Sequence, residues 1–269
     1  MSDTLVIGYG GQGCFCARAY SVAYSLPAVL MNIRTPEEEP ELFQEFVELT
    51  DDPQLNRGRL RNLMDGYRYV LLVSSFGGLS LQNAYAQISE CARELKITLI
   101  TLCTVPFMFE PDRRERAYHN LSEFAYSVDN LFVIDLQKAI TDSALGVNYN
   151  IFLSKTAESV AHLMRILVNL LEYSPFYSYC SDPYYTVALG SDPLYLKAVE
   201  NALAHPFFDV PPNCGKILVF SDRVPNDLDK IQVASLLSAK GNALPEFAGF
   251  TGLGKDYVLL FIPISSRRP

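Results

Sequence analysis

Residues 4–20 read TLVIGYGGQGCFCARAY, in which a short apolar run passes through a glycine-rich turn into a helical pattern. Glycine at such a turn lets the backbone approach a phosphate at the helix N-terminus, where free N–H groups and the helix dipole favour anions. The stretch therefore predicts a strand, a turn and a helix. Gly10, Gly11 and Gly13 are then either a phosphate-binding turn or residues that serve only the tight turn.

The first half of the chain repeats this alternation of apolar runs and helical segments. Buried strands separated by helices predict a parallel sheet covered on both faces, with a ligand site at the carboxyl ends of the strands. The acidic, proline-punctuated residues 35–52 predict a solvated loop with a short helix. The predicted strands are residues 4–8, 28–33, 69–74, 98–103 and 131–135, and the predicted helices are residues 11–25, 80–96 and 112–128.

A dinucleotide-binding domain is disfavoured by two features. The glycine spacing at the first turn differs from the G-x-G-x-x-G pattern by an extra glycine. The second predicted strand ends in Asn32-Ile33-Arg34, where that class of domain carries an acidic residue for the ribose.

The second half begins with one long helix, predicted over residues 150–172 from apolar residues at helical spacing. Residues 173–185, with two prolines and five tyrosines, predict a loop. Further strands are predicted at 186–189, 216–221, 245–249 and 257–263, and helices at 193–204 and 228–239. The sequence thus predicts an α/β protein with a Rossmann-like nucleotide-binding-type domain (1–147), a central helix (148–172) and a smaller α+β domain with a mixed sheet (173–269).

Composition restricts the class of protein. With 269 residues, 49% hydrophobic and 19% charged, the chain predicts a globular protein. The net charge of -8 disfavours nucleic acid as a partner, because phosphate-backbone binding needs a basic face. No apolar run approaches the roughly 20 residues of a membrane-spanning helix, and the first residues lack a secretory signal, which together predict a cytoplasmic protein.

The six cysteines and three histidines predict no metal or catalytic site. The cysteines include no C-x-x-C pair, and no histidine is spaced to complete a zinc site, so they are interpreted as reduced, mostly buried thiols. His119, His162 and His205 are scattered over predicted helices, with no nucleophile motif beside them.

Two stretches resemble the tubulin/FtsZ superfamily. Residues 6–13 (VIGYGGQG) resemble the first phosphate loop of FtsZ, and residues 104–114 (TVPFMFEPDRR) resemble its sugar-binding loop, T-x-P-F-x-F-E-G-x-x-R. The resemblance implies that Glu110 and Arg114 contact the ribose and base of GTP or GDP. It extends over nearly the whole chain and implies the family's two-domain fold with a long central helix.

The chain departs from the family where the tubulin signature GGGTGTG is expected. Residues 77–83 read GGLSLQN instead. A leucine adds a Cβ and branched bulk where the backbone must approach a phosphate, and it does not share glycine's freedom of conformation. Phosphate binding is therefore predicted to be weakened or lost, although Gly77, Gly78 and Ser80 remain as candidate phosphate-binding residues.

The stretches expected to recognise the base and to support hydrolysis also differ from the family's patterns. Residues 134–137 read IDLQ where the family has I-P-N-D, and residues 148–152 (NYNIF) offer no clear counterpart of its guanine-reading aspartate, which predicts a loss of base specificity. The family's hydrolysis loop carries N-x-D and a further aspartate, but residues 173–185 contain Asp182 as their only acid. No intrinsic GTPase activity is predicted, because carboxylates that polarise the attacking water are missing.

The resulting functional hypothesis is an FtsZ/tubulin-like cytoskeletal or regulatory pseudo-GTPase. It acts by association with itself, as a protofilament or dimer, or with a filament-forming GTPase of the family. Two alternatives stay open: a divergent GTP-binding filament protein with slow hydrolysis, and a partner-binding module or small-molecule enzyme that reuses the nucleotide cleft. Because residues 265–269 (SSRRP) follow the last predicted strand at once, no membrane-adaptor peptide and no direct membrane anchor are expected.

Overall fold

The computed structural model describes residues 3–32, 44–50, 52–78, 81–124, 130–138, 149–173, 176, 180, 184–210, 214–241, 243–250 and 252–264. Strands and helices alternate through the first half: β1 (Thr4–Tyr9), α1 (Gly10–Tyr24), β2 (Ala28–Asn32), β3 (Gln44–Glu48), α2 (Pro53–Met64), β4 (Tyr69–Ser75), α3 (Leu81–Leu95), β5 (Thr98–Val105), α4 (Pro111–Phe124) and β6 (Asn130–Asp135). The second half comprises α5 (Tyr149–Tyr173), β7 (Tyr184–Ser191), α6 (Tyr195–Ala204), β8 (Lys216–Ser221), α7 (Asp227–Gly241), β9 (Leu244–Gly249) and β10 (Tyr257–Pro263).

Within the described residues the strands form one ten-stranded sheet in the order β3-β2-β1-β4-β5-β6-β7-β10-β8-β9. Strand β10 is antiparallel to both β7 and β8, and the other neighbouring pairs are parallel. The carboxyl ends of β1, β4, β5, β6, β7, β8 and β9 therefore lie along the same edge of the sheet. The predicted α/β fold, with a parallel first half and a mixed second half, is confirmed.

Helices cover both faces of the sheet. On one face, α1 and α5 pack against the first six strands, and α5 also packs against the second half. The aromatic rings of Phe132 (β6), Phe220 (β8) and Phe261 (β10) join this layer, with the Phe261 centroid 4.7 Å from Phe132 and 4.9 Å from Phe220. On the other face, α2, α3 and α4 cover the first half, and α6 and α7 cover the second.

Burial explains why the strands and the long helix could be predicted. All seven residues of β4 are buried, as expected for a central parallel strand covered by helices on both faces. In α5, Val160, Leu163 and Leu167 are buried at helical spacing. The helix spans Tyr149–Tyr173, close to the predicted residues 150–172.

The prediction of a loop over residues 35–52 is wrong for residues 44–48, which form the edge strand β3. Sequence reasoning also missed α2. Its start is well marked: the Asp52 carboxylate accepts hydrogen bonds from the N–H groups of Gln54 (2.9 Å) and Leu55 (3.3 Å), and Pro53 occupies the first helical position. The predicted loop at 173–185 lies largely outside the described residues.

Among the helices described, none is both long and apolar enough to cross a membrane.

Candidate functional site

The sheet order places a topological switch point between β1 and β4. From β1 the chain moves outward to β2 and β3 on one side, then returns to β4 on the other side of β1. Open α/β sheets bind ligands in the crevice outside the carboxyl ends of the strands at such a point. Helix α1 begins there, at Gly10, directly after β1.

The glycines of this turn have two different roles. A Cβ on Gly8 would lie 2.5 Å from the Cβ of Ala17, and a Cβ on Gly13 would overlap the carbonyl of Val73, with the carbonyl carbon 3.1 Å away. A Cβ on Gly10 or Gly11 would meet no atom within 4 Å. Gly8 and Gly13 therefore serve the close packing of α1, whereas Gly10 and Gly11 border open space.

Gly10 also has a backbone requirement, since its φ of 71° lies in the left-handed region. The preceding residue, Tyr9, caps α1 in an extended conformation without a side-chain hydrogen bond to the helix. The N–H groups of the first turn are thus not capped by that side chain, and the helix dipole adds partial positive charge at the same place. This end of α1 can hold an anion.

Two buried hydroxyl groups lie at the end of β4, beside this turn. Neither Ser74 nor Ser75 has a side-chain hydrogen-bond partner among the described residues. Because side chains alternate along a strand and Val73 packs with α1, Ser75 lies on the α1 face of the sheet. A buried hydroxyl without a partner is unfavourable, and a ligand oxygen in the cleft would satisfy it.

The turn after β4 is held by α4. A Cβ on Gly77 would lie 2.5 Å from the carbonyl oxygen of Arg113, so this glycine serves the contact with α4. The side chain of Arg116 donates to the Gly77 carbonyl (3.3 Å). Gly78 is uncrowded, with the nearest atom to its Cβ position at 3.7 Å. Ser80, the remaining residue predicted here, lies outside the described residues.

Glu110 stands at the start of α4. Its N–H donates to the carbonyl of Phe107 (3.0 Å), and its own carbonyl accepts the N–H of Arg114 (3.0 Å). Its carboxylate forms an ion pair with Arg113. The predicted ribose-binding carboxylate is thus engaged within its own helix turn.

Arg114 is bound to a carboxylate that the sequence did not identify as its partner. Its Nη1 donates to Asp135 Oδ1 (3.0 Å) and to the carbonyl of Pro106 (2.6 Å), and its Nη2 donates to Asp135 Oδ2 (2.5 Å) and to the hydroxyl of Tyr118 (3.0 Å). The side chains of Arg114 and Asp135 are only 18% and 5% exposed. The hydrogen bond to Asp135 raises the pKa of Arg114 above its ordinary value, so the guanidinium stays charged and paired.

Tyr118 completes this group. Burial is the main cause that raises the pKa of its phenol, and the neighbouring Arg114 opposes that shift. The Arg114 guanidinium carbon lies 5.5 Å from the centre of the Tyr118 ring. A ligand that bonded the two Nη atoms of Arg114 would have to displace Asp135, Pro106 or Tyr118.

Apolar side chains border the cleft where the β5–α4 connection meets α5. Buried Phe107 stacks on Phe109 (centroids 5.1 Å apart) and contacts Phe152 of α5 (4.9 Å). Met108, Phe109 and Ile151 are 68%, 56% and 49% exposed. We call these three residues the apolar rim.

The cysteines are free thiols, as predicted, and the two nearest the cleft are poor nucleophiles. Burial raises the pKa of Cys14 to about 11 and that of Cys16 to about 12. The Cys14 thiol, with one hydrogen to donate, lies within hydrogen-bond distance of the carbonyls of Gly8 (3.3 Å) and Met31 (3.4 Å). The described residues include no group of three or more histidine, cysteine or acidic side chains that could hold a metal ion.

Known structures share this architecture. No protein-family model matches the chain. An FtsZ dimer from M. jannaschii superposes with a TM-score of 0.69 at 15% identity, over 97% of this chain and 88% of the other. The chain therefore has the FtsZ/tubulin fold. CetZ from Methanosaeta thermophila matches with a TM-score of 0.76 at 14% identity, over 98% and 86% of the two chains. CetZ2 from Haloferax volcanii, a GTPγS-bound protofilament, matches with 0.74 at 13%, over 96% and 91%.

On this FtsZ/tubulin fold the predicted site residues fall into two groups. Gly10, Gly11 and Gly13 lie at the end of β1, with Gly77 and Gly78 just after β4. Glu110 and Arg114 lie beside the ends of β5 and β6, which at the usual strand spacing is about 10 Å further along the edge. In the first group Gly10, Gly11 and Gly78 leave room for an anion, and the second group is occupied by internal ion pairs.

Proposed function

We propose that this protein is an FtsZ/tubulin-like pseudo-GTPase that acts in the cytoplasm by association, chiefly with copies of itself. The observation that carries this proposal is the apolar rim. Met108, Phe109 and Ile151 lie exposed beside the cleft, at the sheet edge where the strands have their carboxyl ends. Contiguous exposed apolar patches on soluble proteins mark interaction sites.

The gain from covering this rim is substantial. Full burial of one large apolar side chain contributes about 1.5–3 kcal/mol, so the three exposed portions together contribute several kcal/mol to an interface. Structures with the same fold support self-association, since one is an FtsZ dimer and another is a CetZ2 protofilament.

Weakened nucleotide binding is supported by the second group of predicted residues. Glu110 pairs with Arg113, and Arg114 pairs with Asp135, so a ribose or a base would have to compete with these ion pairs. Loss of GTP hydrolysis is supported by the sequence of residues 173–185, which contains a single acid. Removing a charged partner from a buried pair costs about 3–5 kcal/mol, which a nucleotide would have to offset.

A second candidate, a GTP-binding protein with slow hydrolysis, is favoured by the first group. Gly10 and Gly11 border open space at the uncapped end of α1, and the hydroxyl of Ser75 lacks a partner among the described residues. These features suit a phosphate and do not depend on Arg114.

Sedimentation velocity over a concentration series, with and without GTP, tests the proposal. We expect association without nucleotide that weakens at least tenfold in the double variant Met108→Glu/Phe109→Glu, because two carboxylates would be buried at the contact. Leu55→Glu is the matched control, since Leu55 is an exposed leucine on α2 and the rim is left intact. A chain that stays monomeric at all concentrations, alone and mixed with a filament-forming FtsZ/tubulin-like GTPase, contradicts the proposal.

Titration with fluorescently labelled GTP separates the two candidates. The pseudo-GTPase shows no binding up to millimolar nucleotide, whereas the second candidate binds at micromolar concentration.

A further inference from the structure

The two halves of the sheet meet at a seam between β6 and β7. Within the part of the chain that the structure describes, these strands pair in parallel only through Leu131 with Tyr184 and Phe132 with Tyr185. Beyond that point their backbones are no longer paired with each other, although the Thr186 hydroxyl still donates to the carbonyl of Val133 (3.1 Å).

The chain after α6 fills the space where the strands separate. Pro206 forms an antiparallel bridge with Ala188 of β7, and the N–H of Phe207 donates to the carbonyl of Val187 (2.9 Å). On its other side, the carbonyl of Phe207 accepts the N–H of Asp135 at the end of β6 (2.7 Å). Phe207 is therefore a one-residue bridge between the halves, and we call residues 205–210 the seam segment.

Asp135 connects this bridge to α4. While its N–H holds Phe207, its carboxylate receives two N–H groups from Arg114 and the N–H of Gln137 (2.9 Å). Arg114 in turn bonds the hydroxyl of Tyr118 (3.0 Å), and the Tyr118 ring lies edge-on to Phe208, with centroids 6.4 Å apart. Asp135 thus reaches the seam segment at Phe207 through its own backbone N–H, and Arg114 reaches the neighbouring Phe208 through the ring of Tyr118.

We infer that the Arg114–Asp135 ion pair locks the seam, holding the second half of the sheet against the first through Phe207 and Phe208. The Asp135 side chain is only 5% exposed, so removing Arg114 would leave a buried carboxylate without its charged partner. The planar guanidinium binds both carboxylate oxygens and fixes the orientation of Asp135, and with it the end of β6. This role is independent of nucleotide binding and of self-association.

A second ion pair reaches the same segment and offers a matched control. Lys138 pairs with Asp209, but the side chain of Asp209 is 82% exposed. Exposed pairs contribute little, because water replaces the lost partner. If charge pairing to the seam segment were sufficient, this pair and the buried one would matter equally.

Hydrogen exchange measured by mass spectrometry on the intact protein tests the inference. In Asp135→Asn, we expect peptides covering residues 184–188 and 205–210 to exchange at least about tenfold faster, with peptides of α2 and α7 unchanged. Arg114→Lys keeps a positive charge but lacks the planar fork, so it should accelerate the same peptides to a smaller extent, and it remains informative if Asp135→Asn folds poorly. Lys138→Gln should leave the exchange at the seam as in the unmodified protein.

Three results would overturn the inference. The first is unchanged exchange at the seam in both Asp135→Asn and Arg114→Lys. The second is acceleration spread evenly over α2, α7 and the seam, which indicates a general loss of stability. The third is an equal effect of Lys138→Gln.

Discussion

Replacing Gly13 by alanine is expected to destabilise the protein by about 2 kcal/mol, even though it adds one methyl group at a helical position. The new Cβ would overlap the carbonyl of Val73 and lie 3.3 Å from the Cα of Ser74. Both are backbone atoms of β4, which pairs with β1 and β5 and cannot shift without disturbing those ladders. Overpacking costs about 1–3 kcal/mol, and an overlap with backbone atoms places this site at the upper end of that range. Subtracting the gain of about 0.5–1 kcal/mol from removing a helical glycine leaves a net loss of about 2 kcal/mol.

Gly11→Ala is the matched control. Its Cβ would meet nothing within 4 Å, so only the gain in helix propensity remains, and stability should rise by about 0.5–1 kcal/mol. Thermal unfolding followed by circular dichroism measures both changes: a fall of about 4–8 °C for Gly13→Ala and a rise of about 1–4 °C for Gly11→Ala. A Gly13→Ala protein that melts within about 1 °C of the unmodified chain would refute the packing explanation for this glycine.

Two further predictions concern Ser75 and Cys14, beside the turn at the start of α1. Ser75→Ala should raise the free energy of unfolding by up to about 1 kcal/mol in chemical denaturation, since it removes a buried hydroxyl that has no partner among the described residues; a loss of stability would contradict this. Cys14, with a pKa of about 11, should react with a maleimide at pH 8 roughly 100-fold more slowly than in the unfolded chain, and labelling as fast as in denaturant would refute its burial. Folding raises the pKa of Cys14 from 9.0 to about 11, so the folded state holds the thiol proton more tightly than the unfolded state. The contribution of Cys14 to the free energy of unfolding therefore falls as the pH rises from about 9 to 11.

Most strands could be predicted from the sequence because their buried residues form continuous apolar runs, as in β4 and β5. Strand β3 could not, because it is an edge strand with Glu45 and Glu48 in five residues. Its stability comes from pairing with β2 and from α2 covering its outer side: Arg59 donates to the carbonyl of Glu48 (2.5 Å). Asn56 binds both the N–H (2.9 Å) and the carbonyl (2.8 Å) of Thr50. Contacts of this kind join separate elements and leave no periodic pattern in the sequence.

The start of α2, by contrast, was visible and was missed. Asp52 followed by Pro53, with Leu60 and Met64 four residues apart, is a recognisable helix start followed by a buried face. The acidic composition just before it suggested a loop and outweighed these local signals.

The candidate site, like the fold, could be predicted from the sequence only in part. A glycine-rich turn after the first strand could be predicted because strand, turn and helix follow one another in the chain. The pairing of Arg114 with Asp135 could not, since the two residues are 21 positions apart and belong to different elements. A buried aspartate at the end of an apolar strand was the available signal, because such a charge requires a partner.

The glycines that produce the resemblance do not all bear on nucleotide binding. Gly8, Gly13 and Gly77 lie where a Cβ would strike neighbouring atoms of the protein itself, so the fold requires them whether or not a ligand is ever bound. A chain that had lost all affinity for GTP would still have to keep these three. Gly10 and Gly11 are different, because no protein atom lies near their Cβ positions. The positive φ of Gly10 gives that residue a backbone reason to stay. Gly11 is left as the one glycine of this turn for which the described structure supplies no internal reason, and the effect of a bulkier side chain at Gly11 on GTP titration is therefore the most direct measure of whether phosphate still binds there.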